Sequence, residues 1–480
     1  MVTGKRTLFL LPLLLFFFLV ASELVERSMY TDGVAYAAIA KNLAHDIGSL
    51  WSLKLSDYRY PVFAEHPPLV FGIQSLFFKV LGDRLVTERV YALTIFLLSA
   101  GLLVVLWRDA LRDHPRMRRL WFTPLTLWLA NEVVYHFYPA NVLEPTLTVF
   151  TLAAIWAGLR TVRGAGLSVI AWTVLVGLLV ALANLCKGFV ALFPLGLFVL
   201  HWLVFRRGTL VRALALTALL TVTVVGFYAV LWQFDAPRAS LLRYLDTQVL
   251  ASLNSSRSGM DRHYRDSHWY IVRRTFEVLI PALLLTAWIA WAGYRKFGRR
   301  LLRGESLRYG ILYLLLGAAA SFPLAISPKQ SFYYLLPSMA YYALGLGLVI
   351  SPVVAEYFAV PWRPRVARWV GYVGLVLLVG AVGNTLRHVG QVTRRDRLLL
   401  GDVEAMHAVL PVGTTIGAQG EVAEIVSYLY RTREVTVDTT EAHRFRYDFV
   451  VAPATERLAL DTVGVGMLRY RLYRVGSRRR

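Results

Sequence analysis

The sequence predicts an all-α polytopic membrane protein of about eleven transmembrane helices, closed by a small soluble α/β domain. Three observations predict it: an apolar composition, the recurrence of membrane-length runs, and the placement of the arginines. Of 480 residues 57% are hydrophobic and 17% charged, with a mean hydropathy of +0.52. So few polar groups cannot cover a soluble globule of this size, and the chain needs lipid as solvent. Runs of roughly 17–25 apolar residues, long enough to cross a hydrocarbon core as helix, lie at about 7–24, 86–107, 120–137, 141–159, 167–185, 188–205, 213–234, 273–293, 309–326, 331–350 and 367–384. The first follows Lys5 and Arg6 in the manner of a signal peptide. No small-residue cleavage site follows it cleanly, and residues 22–30 already carry charged groups, so it reads as a retained first helix.

The formal net charge is +22, which raises the question of nucleic acid. The positions answer it. Arg108, Arg112, Arg116, Arg118 and Arg119 fill one short loop, and Arg295, Lys296, Arg299, Arg300, Arg303 and Arg308 fill another. Arg160 and Arg163, then Arg206, Arg207 and Arg212, then Arg363, Arg365 and Arg368 occupy three more. With Lys5 and Arg6 all of them fall on one side of the predicted bundle, as the positive-inside rule requires. The expectation is an integral protein of the plasma (inner, if bacterial) membrane with a cytoplasmic N-terminus. The arginines then fix topology and touch anionic lipid headgroups, and no nucleic-acid partner is implied.

That orientation places the first long loop (24–84), a later loop (235–272) and everything after about residue 385 on the outer face. The expected division is a transmembrane module over 1–384 and an outer soluble domain over 385–480. In the latter, runs shorten to strand length at 414–418, 434–437 and 449–452, with a helical pattern at 422–430 between the first two. It holds no Gly-rich phosphate loop and no metal-spaced His or Cys set, so packing or acceptor docking is its expected role. The single cysteine, Cys186, allows no intrachain disulfide and reads as packing.

Chemistry is expected on the outer face. Asp32 stands at the entrance of a helical pattern that includes Tyr36, where a carboxylate is either an N-cap or a functional acid. Glu65 and His66 precede a half-length apolar helix at 70–80 whose start Pro67 and Pro68 stiffen, turning Glu65 and His66 back toward the membrane surface. Glu132 and Glu144 flank the outer end of the third and fourth runs, and Lys187 and Lys329 sit in outer turns. An ionisable group in the bilayer centre costs on the order of 3 kcal/mol, so each asks for a partner or a use. Lysines at helix ends also snorkel; two of them beside Asp32, His66 and Glu144 favour a shared anionic ligand with acid and base groups nearby. The run Arg257, Asp261, Arg262, His263, Tyr264 and Arg265 either covers that site or is a solvated loop.

In order along the chain stand Asp32 with Tyr36, His66-Pro67-Pro68-Leu69, Leu143-Glu144, Cys186-Lys187-Gly188, His268-Trp269-Tyr270, and Lys329-Gln330-Ser331-Phe332-Tyr333-Tyr334-Leu335-Leu336-Pro337. This order resembles glycosyltransferases of the GT-C fold. Within them it is similar to the branch of protein O-mannosyltransferases and lipid A aminoarabinose transferases, glycosyltransferase family 39, over roughly residues 8–350. The resemblance implies a polyprenyl-phosphate sugar donor, an envelope acceptor (lipid, glycan or protein) and transfer with inversion. It implies Asp32 as base toward the acceptor hydroxyl and Glu144 as second acid. Lys187 and Lys329 would hold the leaving phosphate, with Tyr36, Glu65, His66, His263 and Tyr333 lining the substrate site.

Two positions depart from the family pattern: Gly33 stands where many relatives carry a second acid, and Glu144 where aspartate is common. Both weaken the case for a metal, although Asp32, Glu65 and Glu144 offer the oxygen ligands that magnesium or manganese takes. Two other classes fit a bundle with few buried charges: a lipid-linked sugar transporter or flippase, and a non-enzymatic envelope scaffold. A transporter would show internal repeats or helices broken at the midplane, and a scaffold would lack the acid and lysine set.

Overall fold

The structure, a computed structural model, describes residues 7–251, 269–298, 304–327, 330–360, 362–464 and 466–476. Among them eight helices are long and apolar enough to cross a membrane: Thr87–Ala110, Glu144–Arg163, Leu167–Lys187, Leu210–Leu231, Tyr270–Phe297, Glu305–Ile326, Phe332–Ala359 and Pro364–His388. The other three predicted runs are helical but shorter or broken. Leu8–Leu24 is a short apolar helix whose carbonyl at Phe17 accepts from the Thr385 hydroxyl. Phe189–Phe205 is short as well, because it begins as two 3₁₀ turns, Gly188–Ala191 and Phe193–Gly196, the second with Pro194 in it. The run predicted at 120–137 divides into Phe122–Leu129 and Glu132–Phe137. The break falls at Asn131, whose side chain caps the second piece by accepting from Val133 N at 3.0 Å and donates to Val278 O at 3.2 Å.

The bundle core is dense in aromatic and small residues. Trp107, Trp128, Tyr138, Tyr313 and Tyr341 are fully buried, and helix Phe332–Ala359 runs through the centre with most of its side chains enclosed. Helix Pro364–His388 keeps an apolar exposed face, including Trp369, Tyr372, Val376 and Val379, as a lipid-facing helix should.

Two elements of the first long loop are helices that lie outside the spanning set. Thr31–Ala44 is buried along most of its length despite its short span, and Leu69–Leu81 packs against it. The C-terminal part folds as helix Arg397–His407 and a mixed sheet. Its strands are β1 (Thr415–Ala418), β2 (Thr436–Asp438), β3 (Phe449–Pro453), β4 (Asp461–Val463) and β5 (Tyr470–Arg474), in the order β2-β1-β3-β5-β4. β1 pairs in parallel with β2 and β3, and β5 runs antiparallel between β3 and β4. Helix Ala423–Arg433 makes the crossover between β1 and β2. The first three strands stand where the sequence places them. β4 and β5 do not announce themselves, because β5 is rich in arginine and β4 is three residues long. Asp402 secures β5: its buried carboxylate accepts from the backbone N–H groups of Leu468, Arg469 and Tyr470 at 2.7–2.8 Å.

The same crossover helix grips the loop helix Thr31–Ala44. The Tyr428 hydroxyl donates to Met29 O at 2.8 Å and accepts from Met29 N at 3.1 Å. Asn42 bonds Tyr430, and Lys41 pairs with Glu434 at 2.8 Å. Arg431 pairs with Glu88 at 2.8 Å, both side chains 3% exposed, and donates to the carbonyls of Asp83 and Arg84. Removing one partner of a buried pair leaves the other charge uncompensated. Arg431→Ala is therefore expected to cost about 3–5 kcal/mol, and Arg431→Met combined with Glu88→Gln to recover most of it, read as thermal unfolding of the purified protein in detergent.

Candidate active site

Asp32 is positioned by the start of helix Thr31–Ala44. The N-cap residue is Tyr30, in an extended conformation and without a side-chain cap bond, so Asp32 lies within the first turn and does not cap the helix. The Tyr333 hydroxyl reaches Asp32 Oδ2 at 3.3 Å. One turn further on, Tyr36 is buried, with its Oη 3.0 Å from His66 Nε2 and its ring edge-on to Phe63, His66 and Phe71. Burial, reinforced by the charge of Asp32, pushes the Tyr36 hydroxyl well above its ordinary range, so it stays protonated beside His66. Tyr60 donates to Glu65 Oε1 at 3.0 Å, and burial together with the Glu65 charge raises the phenol to about 12.

Gly33 explains itself by what faces it. A Cβ built there would sit 2.0 Å from the carbonyl oxygen of Ala140, so this position has no room for a second acid. The Gly33 carbonyl accepts from Asn141 Nδ2 at 2.9 Å, and Asn141 Oδ1 accepts from Gln74 Nε2 at 2.7 Å. Both amides are buried, Gln74 fully and Asn141 to 3% exposure, and Asn141 holds a left-handed backbone with φ 56°. This chain of amides ties the turn bearing Asp32 to helix Leu69–Leu81, which His66 precedes, and to the segment that leads into Glu144. Gly33→Ala is expected to cost about 1–3 kcal/mol through overpacking, read as thermal unfolding of the purified protein beside the wild type.

Glu144 and Lys187 form an ion pair. Glu144 opens helix Glu144–Arg163 and is 1% exposed, and Lys187 ends helix Leu167–Lys187 with its side chain 7% exposed. Lys187 Nζ also lies over the rings of Tyr334, 4.4 Å from the centroid, and Tyr333, at 5.0 Å, where ring faces attract a cation. Among the described residues Glu144 Oε2 has no hydrogen-bond partner. The turn after Lys187 requires glycine, because Gly188 has φ +79° and a Cβ there would strike the Tyr244 hydroxyl. Tyr333 is thus shared: its hydroxyl meets Asp32 and its face meets Lys187.

Glu65, His66, Lys187, Tyr244, Gln248 and Tyr334 line a cavity of about 540 Å³. It adjoins a second of about 430 Å³ whose walls include Val224, Val225, Trp232 and Leu241, and the two share Phe189, Leu192 and Tyr244. Asp32 and Glu144 do not line the first cavity: Glu144 meets its wall through Lys187, and Asp32 stands one contact further back, through Tyr333, whose ring lies under Lys187.

The structure therefore brings Asp32, Tyr36, Glu65, His66, Glu144, Lys187 and Tyr333 into one neighbourhood. Lys329 and His263 lie outside the described residues, as does His268. Gln330, next to Lys329, is buried and joins its turn to helix Tyr270–Phe297 by accepting from Ile271 N at 2.8 Å. Glu132 faces Arg274 at 2.9 Å rather than the lysine. Cys186 is buried in the core. Residues that sequence reasoning did not single out are Tyr334, Tyr244, Gln248, Asn141 and Gln74. Only Tyr334 had a signal, its place in the aromatic run at 332–334.

Each carboxylate the sequence offers to a divalent cation has one neighbour in the structure: Lys187 for Glu144, the Tyr333 hydroxyl for Asp32 and the Tyr60 hydroxyl for Glu65. Among the described residues no group of three or more His, Cys, Asp and Glu is gathered as a metal would require.

No family model matches the chain. A curated relative, undecaprenyl phosphate-alpha-4-amino-4-deoxy-L-arabinose arabinosyl transferase 1 of Proteus mirabilis, is 29% identical over 196 residues, which are 39% of this chain and 32% of that protein. The chain thus matches about a third of the length of that relative. The crystal structure of ArnT from Cupriavidus metallidurans bound to undecaprenyl phosphate superposes with a TM-score of 0.64 at 15% identity, covering 99% of this chain and 98% of that one. The same protein in the apo state gives 0.63 at 16% identity, covering 98% of this chain and 97% of that one. The apo oligosaccharyltransferase of Archaeoglobus fulgidus gives 0.52 at 11% identity, covering 92% of this chain and 65% of that one. The fold is the GT-C fold of membrane glycosyltransferases. Within it, the chain resembles ArnT from end to end, the C-terminal sheet included.

Proposed function

We propose that the protein is a membrane glycosyltransferase that moves a sugar from a polyprenyl phosphate to an envelope acceptor, with inversion at the anomeric carbon. The observation that carries this reading is the joined pair of cavities, one with Lys187, Glu65 and His66 in its wall and the other apolar. A lipid phosphate has the same two halves. The polyprenyl tail fits the apolar cavity, the phosphate lies at Lys187, and the sugar extends toward Glu65 and His66. That the matched relative is named for an undecaprenyl-phosphate sugar, and that ArnT was crystallised with undecaprenyl phosphate, supports the donor class.

In this mechanism Asp32 accepts the proton of the acceptor hydroxyl as its oxygen attacks the anomeric carbon from the face opposite the phosphate. The bond from that carbon to the phosphate oxygen breaks, and its electron pair leaves on the phosphate. Lys187 meets the growing negative charge, which is worth most in a partly dehydrated site. Glu144 keeps Lys187 charged and aimed, and Tyr333 orients Asp32. Lys329 is a second phosphate ligand and His263 a covering residue in this reading. The N-terminus faces the cytoplasm, the reaction takes place on the outer face, residues 1–384 form the reacting module, and residues 385–480 dock the acceptor.

The test uses purified protein in vesicles with a labelled polyprenyl-phosphate sugar. Release of polyprenyl phosphate together with labelled acceptor is the expected result. Movement of the intact lipid across the bilayer without release would replace the enzyme with a transporter, and neither outcome with well-folded protein would leave a scaffold.

A further inference from the structure

At the end of the bundle opposite Lys187 lies a smaller polar cavity of about 150 Å³. Helix Glu144–Arg163 connects the two ends: Glu144 opens it and Arg163 closes it, about 30 Å apart at 1.5 Å per residue, which is the thickness of a hydrocarbon core. The charges around the small cavity do not cancel. Asp109 is matched by Arg163 and Arg160, and Glu305 by Arg207 at 2.6 Å. Asp113 pairs with Arg112 at 3.1 Å. Arg212 is left over; among the described residues its guanidinium has no acidic partner.

Helix Leu210–Leu231 begins at this cavity. Its N-cap Thr209 accepts from Arg212 N at 3.1 Å, and the free N–H groups of a helix N-terminus favour anions. A separate observation comes from another helix. His201 lines the cavity, is 8% exposed and stacks on Phe205 at 4.5 Å between ring centroids. Among the described residues neither of its ring nitrogens has a hydrogen-bond partner. Its unpartnered nitrogens are thus open to whatever enters the cavity.

We propose that this cavity is a binding site for a phosphate dianion, whether a monoester or the free ion, held by Arg212, His201 and the N-terminal turn of helix Leu210–Leu231, on the membrane face opposite the reaction. Arginine and helix N–H groups together suit a compact dianion, and the volume admits one phosphate. Two sources carry that group, an anionic lipid headgroup and free phosphate.

The experiment places the full-length protein in phosphatidylcholine nanodiscs and adds phosphatidic acid, a monoester, or phosphatidylglycerol, a diester, with lipid retention read by native mass spectrometry. Inorganic phosphate is titrated separately and read as a thermal shift. Phosphatidic acid is expected to be retained over phosphatidylglycerol, and Arg212→Gln or His201→Phe to weaken it about tenfold, the usual scale for losing one charge-assisted contact. If inorganic phosphate gives the same Arg212-dependent shift and displaces the lipid, the ligand is free phosphate; if it does neither, the ligand is the headgroup. Equal retention of both lipids, or retention unchanged by both substitutions, would overturn the site and reduce the arginines to topology signals. Arg212 is exposed and its side chain makes no hydrogen bond or ion pair among the described residues, so Arg212→Gln keeps the test independent of folding.

Discussion

Replacing Asp32 with asparagine is expected to lower kcat for sugar transfer by about 10²–10⁴-fold, the range for losing a positioned general base, while leaving the donor KM within a few fold. Asparagine preserves shape and can still meet the Tyr333 hydroxyl, which stands 3.3 Å from the carboxylate, so the helix start and the donor cavity stay in place. What disappears is the capacity to take a proton. Donor binding should persist because Lys187 and the apolar cavity are untouched. The measurement is initial rate against donor concentration for wild type and Asp32→Asn at matched expression. Unchanged transfer would move the base elsewhere, with Glu65 and His66 next in line because they face the cavity directly.

A larger combined effect is expected from Lys187→Met. Two losses coincide, the cation proposed to face the leaving phosphate and the partner of a carboxylate that is 1% exposed. The first is expected to cost about 10²–10³-fold in kcat, as for the removal of one oriented electrostatic donor. The second is a stability effect of about 3–5 kcal/mol, because Glu144 is left charged and unpaired. A double variant separates them. Lys187→Met with Glu144→Gln should regain most of the thermal stability and none of the transfer. If the double variant regained transfer as well, Lys187 would be a structural partner of Glu144 and no phosphate ligand.

The membrane part of the fold was legible because lipid imposes a length on any helix that crosses it. Where the reading fell short, the cause is local. Asn131 interrupts a run that is apolar by average, and Pro194 with Gly188 tightens another into 3₁₀ turns. Within the site, Asp32, His66, Glu144 and Lys187 could be picked out because each breaks an apolar or turn context in its own segment. Their partners could not. Glu144 and Lys187 are 43 residues apart, and Tyr333 and Asp32 are 301 apart, so which groups meet is a property of packing. The amides of Asn141 and Gln74 look like ordinary polar residues until Gly33 is seen against the backbone of Ala140. β4 and β5 were missed for a similar reason: β5 is placed by its pairing to β3 and by Asp402, and β4 by its pairing to β5, not by their own alternation.

The grip of helix Ala423–Arg433 on helix Thr31–Ala44 bears on how such an enzyme can diversify. A chimera that exchanges the C-terminal sheet to reach a new acceptor cannot be spliced as beads on a string. It would strip Tyr428 from Met29, Tyr430 from Asn42 and Arg431 from Glu88, and so unseat the turn on which Asp32 rides. Under the proposed roles acceptor choice and proton transfer are inherited together, and any successful graft must carry that one helix across with its sheet.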